Sequence, residues 1–347
     1  MLAKLFSRLG SDLAIDLGTA NTLVGVPGEG VVLDEPSVVA VEESSRKVLA
    51  DGRAVGQLAR QLMGRTPQSI EVLRPLKDGV IADYELCEAM LRYFLRKVRG
   101  SRFRGRPRVL IAVPGCVTPV EKRAVYNSAQ RAGAKQTLLV SEAKAAAIGA
   151  GLPISEPVAS MVCDIGGGTT DIAVFSLGEQ VAGQSVRVGG DAMDQAIVDY
   201  LRRKYALKTS LSAAEQLRLA IGSATPQTRE MTDDVRGIDT TCNMPRKLAI
   251  TSAEVREALA APLRSIAEAV RQTVDETPVD LAAELIDNGM ALCGGGGLLR
   301  SMDQFLTTST GIPTQLCDEP LTATVRGAIR CLEHLDHWRD GIESSDA

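Results

Sequence analysis

The chain has 347 residues, more than a single hydrophobic core supports, so two lobes of ordinary domain size are expected. Apolar residues make up 45% and aromatic ones 3%, which leaves Leu, Val, Ile and Ala to fill the cores and excludes a base-stacking platform. A net charge of -4 with dispersed basic residues argues against a nucleic-acid partner.

In chain order, Met1 to Leu9 comes first. Leu2, Leu5, Phe6 and Leu9 fall on one helical face and Lys4 and Arg8 lie off it, a pattern that predicts a small basic amphipathic helix lying on a membrane. Packing against the protein's own body is the alternative. Val31 to Val41 reads as strand and Glu85 to Val98 as helix. Between Arg99 and Arg108, five arginines surround Phe103, which reads as a second contact with lipid headgroups. Strand Val109 to Val113 is followed by helix Pro119 to Ala132, whose start is marked by Thr118, Pro119 and Glu121. Met161 to Asp164 and Ile172 to Phe175 predict strands, and Met193 to Tyr205 and Ser252 to Val274 predict helices, the latter behind Thr251. The alternation is that of an α/β fold. Cys331, His334 and His337 recur every third residue and read as a surface helix end rather than a zinc site. Gly341 to Ala347 reads as a frayed acidic tail.

Cys87, Cys116, Cys163, Cys242, Cys293, Cys317 and Cys331 stand singly, with no metal-ligand or redox-pair spacing, and their odd number suits a reducing cytosol. No apolar stretch reaches the roughly 20 residues of a membrane-spanning helix, and the N-terminus lacks a secretory signal pattern. A cytoplasmic protein is expected.

One internal repeat matters more than these details. Residues Ala14 to Val26 can be laid over Val162 to Val174, each an apolar strand, an Asp-x-Gly turn with hydroxyls and a second apolar strand. A duplicated α/β lobe would set the two turns across a ligand cleft. Gly18, Gly166, Gly167 and Gly168 would let backbone N–H groups approach a phosphate chain, and Thr19, Asn21, Thr169 and Thr170 would add donors. Asp16 and Asp164 would repel phosphate directly but suit Mg2+, which takes one or two carboxylates and keeps several waters. Either turn alone reads equally as an ordinary tight hairpin; the matched pair favours phosphate binding. The third motif runs from apolar Met290 to Cys293 into Gly294, Gly295, Gly296 and Gly297 and then an apolar-periodic segment. It predicts a helix start after the glycines and bare backbone for a flat ring. No Gly-Lys-Ser/Thr follows, and Leu299 occupies the third glycine position of a dinucleotide fingerprint, so P-loop kinases and dehydrogenases are disfavoured.

In this order the three motifs resemble the actin, sugar-kinase and chaperone-ATPase superfamily, and within it the MreB family of bacterial actins. Ile15 to Thr22, Glu35-Pro36-Ser37-Val38, Arg74 to Tyr84, Pro245-Arg246-Lys247-Leu248 and Glu319-Pro320-Leu321-Thr322 are similar to that family's motifs, and the likeness runs from about Asp12 to Ile329. The resemblance implies an actin-like (ribonuclease H-like) duplicated fold, with two lobes and a central nucleotide cleft. Lobe I would span residues 1–148 and 320–347 with an insert at about 33–74, and lobe II residues 149–319 with an insert at about 188–250. It implies ATP (and ADP) with Mg2+ as cofactors, Asp16 and Asp164 near the metal, and Gly18, Thr19, Ala20, Asn21 and Gly166 to Thr169 on the phosphates. Gly294 to Gly297 would take the adenosine, and Glu215 and Arg218 would flank ribose and adenine. Without the resemblance, the i, i+3 pair Glu215 and Arg218 reads as a surface salt bridge.

The residue that orients the attacking water is implied to be Glu142, in a setting that departs from the family. The family's Glu-Glu-Pro-Met is here Ser141-Glu142-Ala143-Lys144, without the helix-starting proline and with an added cation. The implied function is a slow ATPase whose homopolymer filaments lie on the inner face of the cytoplasmic membrane, contact membrane proteins of cell-wall synthesis and organise cell shape. Rival readings are a nucleotide-sensing adaptor that forms no filaments and a small-molecule kinase on the same fold.

Overall fold

A computed structural model describes residues 12–99 and 105–344. The predicted membrane residues Leu2, Leu5, Phe6, Leu9 and Phe103 lie outside the described residues. The chain forms two compact units, Met1–Pro153 with Thr322–Ala347, and Ile154–Leu321.

The first unit begins with β1 (Leu13–Leu17), β2 (Asn21–Val26), β3 (Gly30–Pro36) and β4 (Val39–Glu42), then α1 (Gln57–Leu62). It continues with β5 (Ile70–Leu73), β6 (Leu76–Lys77), β7 (Val80–Ile81), α2 (Tyr84–Arg99), β8 (Arg108–Val113), α3 (Pro119–Ala132), β9 (Gln136–Ser141) and α4 (Glu142–Ala150). The second unit holds β10 (Ser160–Ile165), β11 (Thr170–Ser176), β12 (Glu179–Val186), α5 (Gly190–Tyr205), β13 (Leu207–Lys208) and α6 (Leu211–Ile221). It is completed by β14 (Thr232–Asp239), β15 (Met244–Thr251), α7 (Ser252–Glu276), α8 (Val279–Asn288), β16 (Met290–Cys293), α9 (Met302–Thr310) and β17 (Thr314–Leu316). The chain then returns to the first unit with α10 (Ala323–Glu333) and β18 (Ile342–Ser344).

The duplication is plain in the sheets. The first has the order β18-β9-β8-β1-β2-β3 and the second β12-β11-β10-β16-β17. Without β18 the two orders are the same. In each, three antiparallel strands are followed by two parallel partners on the side of the first strand. The central strand of the second sheet, Ser160–Ile165, is buried along its whole length and that of the first, Leu13–Leu17, at every position but Asp16, as expected of a sheet covered on both faces. Each unit has its own core, one built around Leu13, Met90, Phe94 and Ile111 and one around Met161, Met193, Leu259 and Leu292.

Helix starts follow local chemistry. Thr118 and Thr251 form capping boxes with Glu121 and Glu254, so the orphan N–H groups of α3 and α7 are met by side chains. α4 and α10 cross at two glycines. A Cβ at Gly149 would lie 1.8 Å from the Ala323 carbonyl oxygen, and one at Gly327 would lie 1.8 Å from that of Ala145. Only hydrogen fits at either position, and the crossing fixes the helix that begins at Glu142.

Two readings of the C-terminal region are corrected. Residues 342–344 are not frayed, because Ile342 and Ser344 register with Val140 and Leu138 on the edge of β9. Lys122 pairs with Glu343 at 2.5 Å, and the buried Lys144 ammonium donates to the Asp340 carbonyl. The surface helix-end reading holds for His334 and His337, which are exposed, but not for Cys331. Cys331 is fully buried, and burial pushes its thiol up to about 12 despite the cationic Lys144 nearby. Among the described residues no helix is long and apolar enough to cross a membrane.

Candidate functional site

In the first unit, β1 and β2 pair up to Leu17 and Thr22, which leaves residues 18–21 as the turn. Gly18 is required there, since a Cβ would lie 2.6 Å from the Asn21 carbonyl oxygen. The turn is tied down by Ser37. Its hydroxyl donates to the Gly18 carbonyl (2.6 Å) and shares a hydrogen bond with Thr22 Oγ1 (2.8 Å), and its N–H donates to the Ala20 carbonyl (2.9 Å). Thr19 is buried, and its Oγ1 accepts from the Gly79 N–H at 3.1 Å. Gly79 sits in the tight turn joining β6 and β7, where Asp78 and Gly79 both have positive φ (51° and 77°). Asn21 donates to Asp34 at 3.1 Å. The motifs around residues 35–38 and 74–84 thus brace this turn, a role for Ser37 and Gly79 that pattern alone did not reveal.

The second hairpin has the same length, with Ile165 and Thr170 as its last pair and residues 166–169 between them. It is held differently. The Gly166 N–H donates to the Thr169 carbonyl (2.8 Å), and the Gly166 and Gly167 carbonyls accept from the N–H groups of Gly190 (3.0 Å) and Asp191 (2.8 Å), in the first turn of α5. Orphan helix donors are satisfied by the loop itself. Gly189 permits this approach, since a Cβ there would lie 2.6 and 2.7 Å from the two carbonyl oxygens. Thr170 Oγ1 donates to the Val188 carbonyl at 2.6 Å.

β16 lies parallel to β10 with Asp164 beside Cys293, so the glycine run starts next to that carboxylate. Gly294 has φ 78°, and its N–H donates to the Pro320 carbonyl at 3.0 Å. A Cβ there would lie 2.4 Å from Asp164 Oδ1, and one at Gly296 would lie 2.3 Å from Ile165 Cγ2. Two of the four glycines therefore serve close packing on the end of β10. The expected helix start directly after them is corrected. Bonds from Gly297 to Gly294 and from Leu299 to Gly296 span three residues, which makes a 3-10 turn at Gly296–Leu298. α9 begins only at Met302, behind Ser301 with φ 56°.

Glu215 and Arg218 share α6, but the surface-pair reading of Arg218 is overturned. Arg218 is 7% exposed, and its guanidinium takes Asp194 of α5 with two hydrogen bonds, Nε to Oδ1 at 2.6 Å and Nη2 to Oδ2 at 3.2 Å. Burial raises the Asp194 pKa and Arg218 pulls it back down. Asp194 was missed, although an acid beside Met193 on an apolar helix face needs a partner. Arg300 donates to the carbonyls of Ala220 (2.7 Å) and Gly222 (3.3 Å), tying the end of α6 to the segment after the glycine run.

Glu142 opens α4. Ser141 takes over from the missing proline, its hydroxyl accepting from the Lys144 N–H at 3.2 Å as an N-cap. The added cation is drawn to the Asp340 carbonyl. In register, Asp16, Ala112 and Val140 lie side by side on β1, β8 and β9. With strands about 4.8 Å apart, Asp16 and the start of α4 lie about 10 Å apart at the same carboxyl edge. Asp164, the second hairpin and the glycine run share the corresponding edge of the other sheet. Ligands of open α/β sheets bind at such carboxyl ends.

These features agree with comparisons to known proteins. The family model described as MreB/Mbl protein matches residues 10–340. The chain belongs to the MreB/Mbl family. It is 47% identical over 337 residues to the cell shape-determining protein MreB of Escherichia coli strain K12, covering 97% of each chain. It is 42% identical over 325 residues to the cell shape-determining protein Mbl of Bacillus subtilis strain 168, covering 94% of this chain and 96% of that one. Among solved structures, MreB5 of Spiroplasma citri bound to ADP superimposes with a TM-score of 0.89 at 32% identity, covering 96% of this chain and 99% of that one. This MreB/Mbl family member has the actin-like two-lobed fold that the resemblance implied.

Proposed function

We propose that this family member binds Mg2+-ATP and its ADP product, hydrolyses ATP slowly and polymerises into filaments on the inner face of the cytoplasmic membrane. There it would organise cell shape together with membrane proteins of cell-wall synthesis. The observation that carries the reading is the duplicated hairpin, present at the carboxyl edge of each sheet with an aspartate one residue before the last strand pair. The S. citri relative, solved both with ADP and with AMPPNP, supports the nucleotide, and the relatives named for cell shape support the role.

The residues fit a magnesium ion. Asp16 is half-buried, Asp164 is buried, and the lack of a Cβ at residue 294 keeps a side chain from lying 2.4 Å from Asp164 Oδ1. Mg2+ needs only one or two carboxylates, and bound there it would neutralise charge on the phosphate oxygens. The backbone of Gly18 to Asn21 and of Gly166 to Thr169 would hold the phosphates, and Gly294 to Gly297 with Glu215 and Arg218 would hold the nucleoside. Glu142 would orient the attacking water by accepting its hydrogen bond, and burial of Lys144 on the Asp340 carbonyl keeps that cation from being a surface group beside it. Leu2, Leu5, Phe6, Leu9 and Phe103 would contact lipid, weakly in one copy and strongly along a filament.

Equilibrium binding of a fluorescent ATP analogue with Mg2+ tests the site. Asp16→Ala and Asp164→Ala should each weaken binding at least tenfold, about 1.4 kcal/mol, while Glu142→Ala should bind normally and hydrolyse more slowly. Wild-type affinity in both aspartate variants would refute the metal assignment.

A further inference from the structure

We infer that Cys317 and Cys293 form a reversible, peroxide-sensitive disulfide that sets the nucleotide affinity of the second unit. The two thiols are 24 positions apart in sequence, yet their sulfurs lie 3.2 Å from each other. They are cross-strand neighbours one residue beyond the parallel pair Leu292 and Leu316. Adjacent strands about 4.8 Å apart fall inside the ~4.4–6.8 Å range of Cα separations that disulfides span. The partners differ in access. Cys293 is fully buried, whereas Cys317 is half-buried and reachable from solvent. Of the other cysteines, Cys87, Cys163 and Cys331 are buried, and Cys116 and Cys242 are reachable.

This division assigns the steps. The Cys317 thiol first ionises, its thiolate attacks one oxygen of hydrogen peroxide, the O–O bond breaks, and the departing hydroxide leaves as water with the proton that the ionisation released. Cys317 is then a sulfenic acid. The Cys293 sulfur attacks the Cys317 sulfur, the S–S bond forms as the S–O bond breaks, and the hydroxyl leaves with the Cys293 proton as a second water. Two electrons pass from the thiol pair to the peroxide, and a dithiol returns them.

The pair touches the site through backbone bonds. Cys317 N–H donates to the Leu292 carbonyl (3.0 Å), and Gly294 N–H donates to the Pro320 carbonyl (3.0 Å), so residues 317–320 wrap Cys293 and Gly294. Closing the sulfurs from 3.2 Å to a bond of about 2.05 Å draws these strand ends together. Gly294 has little room to absorb the shift, since a Cβ there would lie 2.3 Å from the Ile165 carbonyl oxygen and 2.4 Å from Asp164 Oδ1. The effect on affinity rests on the proposed nucleotide site, whereas formation of the disulfide does not.

The test uses full-length protein with Cys116→Ser and Cys242→Ser, treated with hydrogen peroxide, alkylated and mapped without reduction. The expected result is a peptide linked through Cys293 and Cys317, with Mg2+-nucleotide affinity lowered about fivefold or more and restored by dithiothreitol. Adding Cys317→Ser should abolish both the linkage and the peroxide effect. Cys317 appearing as sulfinic acid with no linkage would overturn the pair, and linkage at unchanged affinity would overturn its control of the site. If the reduced protein binds no nucleotide, the proposed function fails, and the peptide map still decides whether the disulfide forms.

Discussion

The two hairpins share length, strand order and placement, but the first is braced by side chains and the second by a helix. Ser37, Thr22 and Gly79 each contribute separate bonds to the turn at residues 18–21, so this brace can be lost one bond at a time. At residues 166–169 the brace is the first turn of α5, held through the Asp194–Arg218 clasp to α6. A change in α6 is therefore felt at the turn of residues 166–169. Duplication preserved the turn and left each half free to find its own support, and among the described residues the second half couples its turn, α5 and α6 in one network.

Breaking the clasp should give the largest effect. Arg218→Ala leaves Asp194 buried beside no cation, a loss of about 3–5 kcal/mol in stability. The sign with pH follows from burial, which already raises the Asp194 pKa, while Arg218 opposes it. Removing Arg218 raises it further, so the deficit is greatest at neutral pH and shrinks as acidification protonates Asp194. Urea unfolding of wild type and variant at neutral and mildly acidic pH measures this; a deficit that grows on acidification would break the proposed clasp. Gly189→Ala comes next, at about 1–3 kcal/mol. The new methyl meets the Gly166 and Gly167 carbonyl oxygens at 2.6 and 2.7 Å, backbone atoms with little room to shift. Nucleotide affinity should fall with stability, since the turn itself is displaced.

The repeat was legible because its evidence is local. An Asp-x-Gly turn between two apolar runs specifies a hairpin wherever it occurs, and Thr118 and Thr251 carry their capping partners three residues away. What stayed hidden depends on tertiary placement. Asp194 and Arg218 are 24 positions apart, as are Cys293 and Cys317, and nothing along the chain marks either pair. The tail at residues 342–344 is too short to show a strand period and is ordered by the free edge of β9. The glycine run misled for a different reason: bare backbone suits a ligand or a close neighbour equally, and for Gly294 and Gly296 the close neighbour is β10.

The smallest effect should come from Ser37→Ala, and it tests the side-chain brace most directly. The change removes the bonds to the Gly18 carbonyl and the Thr22 hydroxyl but keeps the Ser37 N–H bond to Ala20, which is a backbone contact. The buried Thr22 hydroxyl loses a partner, and a lost bond of this kind costs about 1–2 kcal/mol. Because the remaining bonds to Ala20 and from Gly79 to Thr19 still hold the turn, nucleotide affinity should fall only a few-fold, about 1 kcal/mol or less. Calorimetric binding together with thermal unfolding separates the two quantities. If Ser37→Ala abolishes binding as fully as Gly189→Ala, the first hairpin is as cooperative as the second, and the contrast drawn from their different supports is wrong.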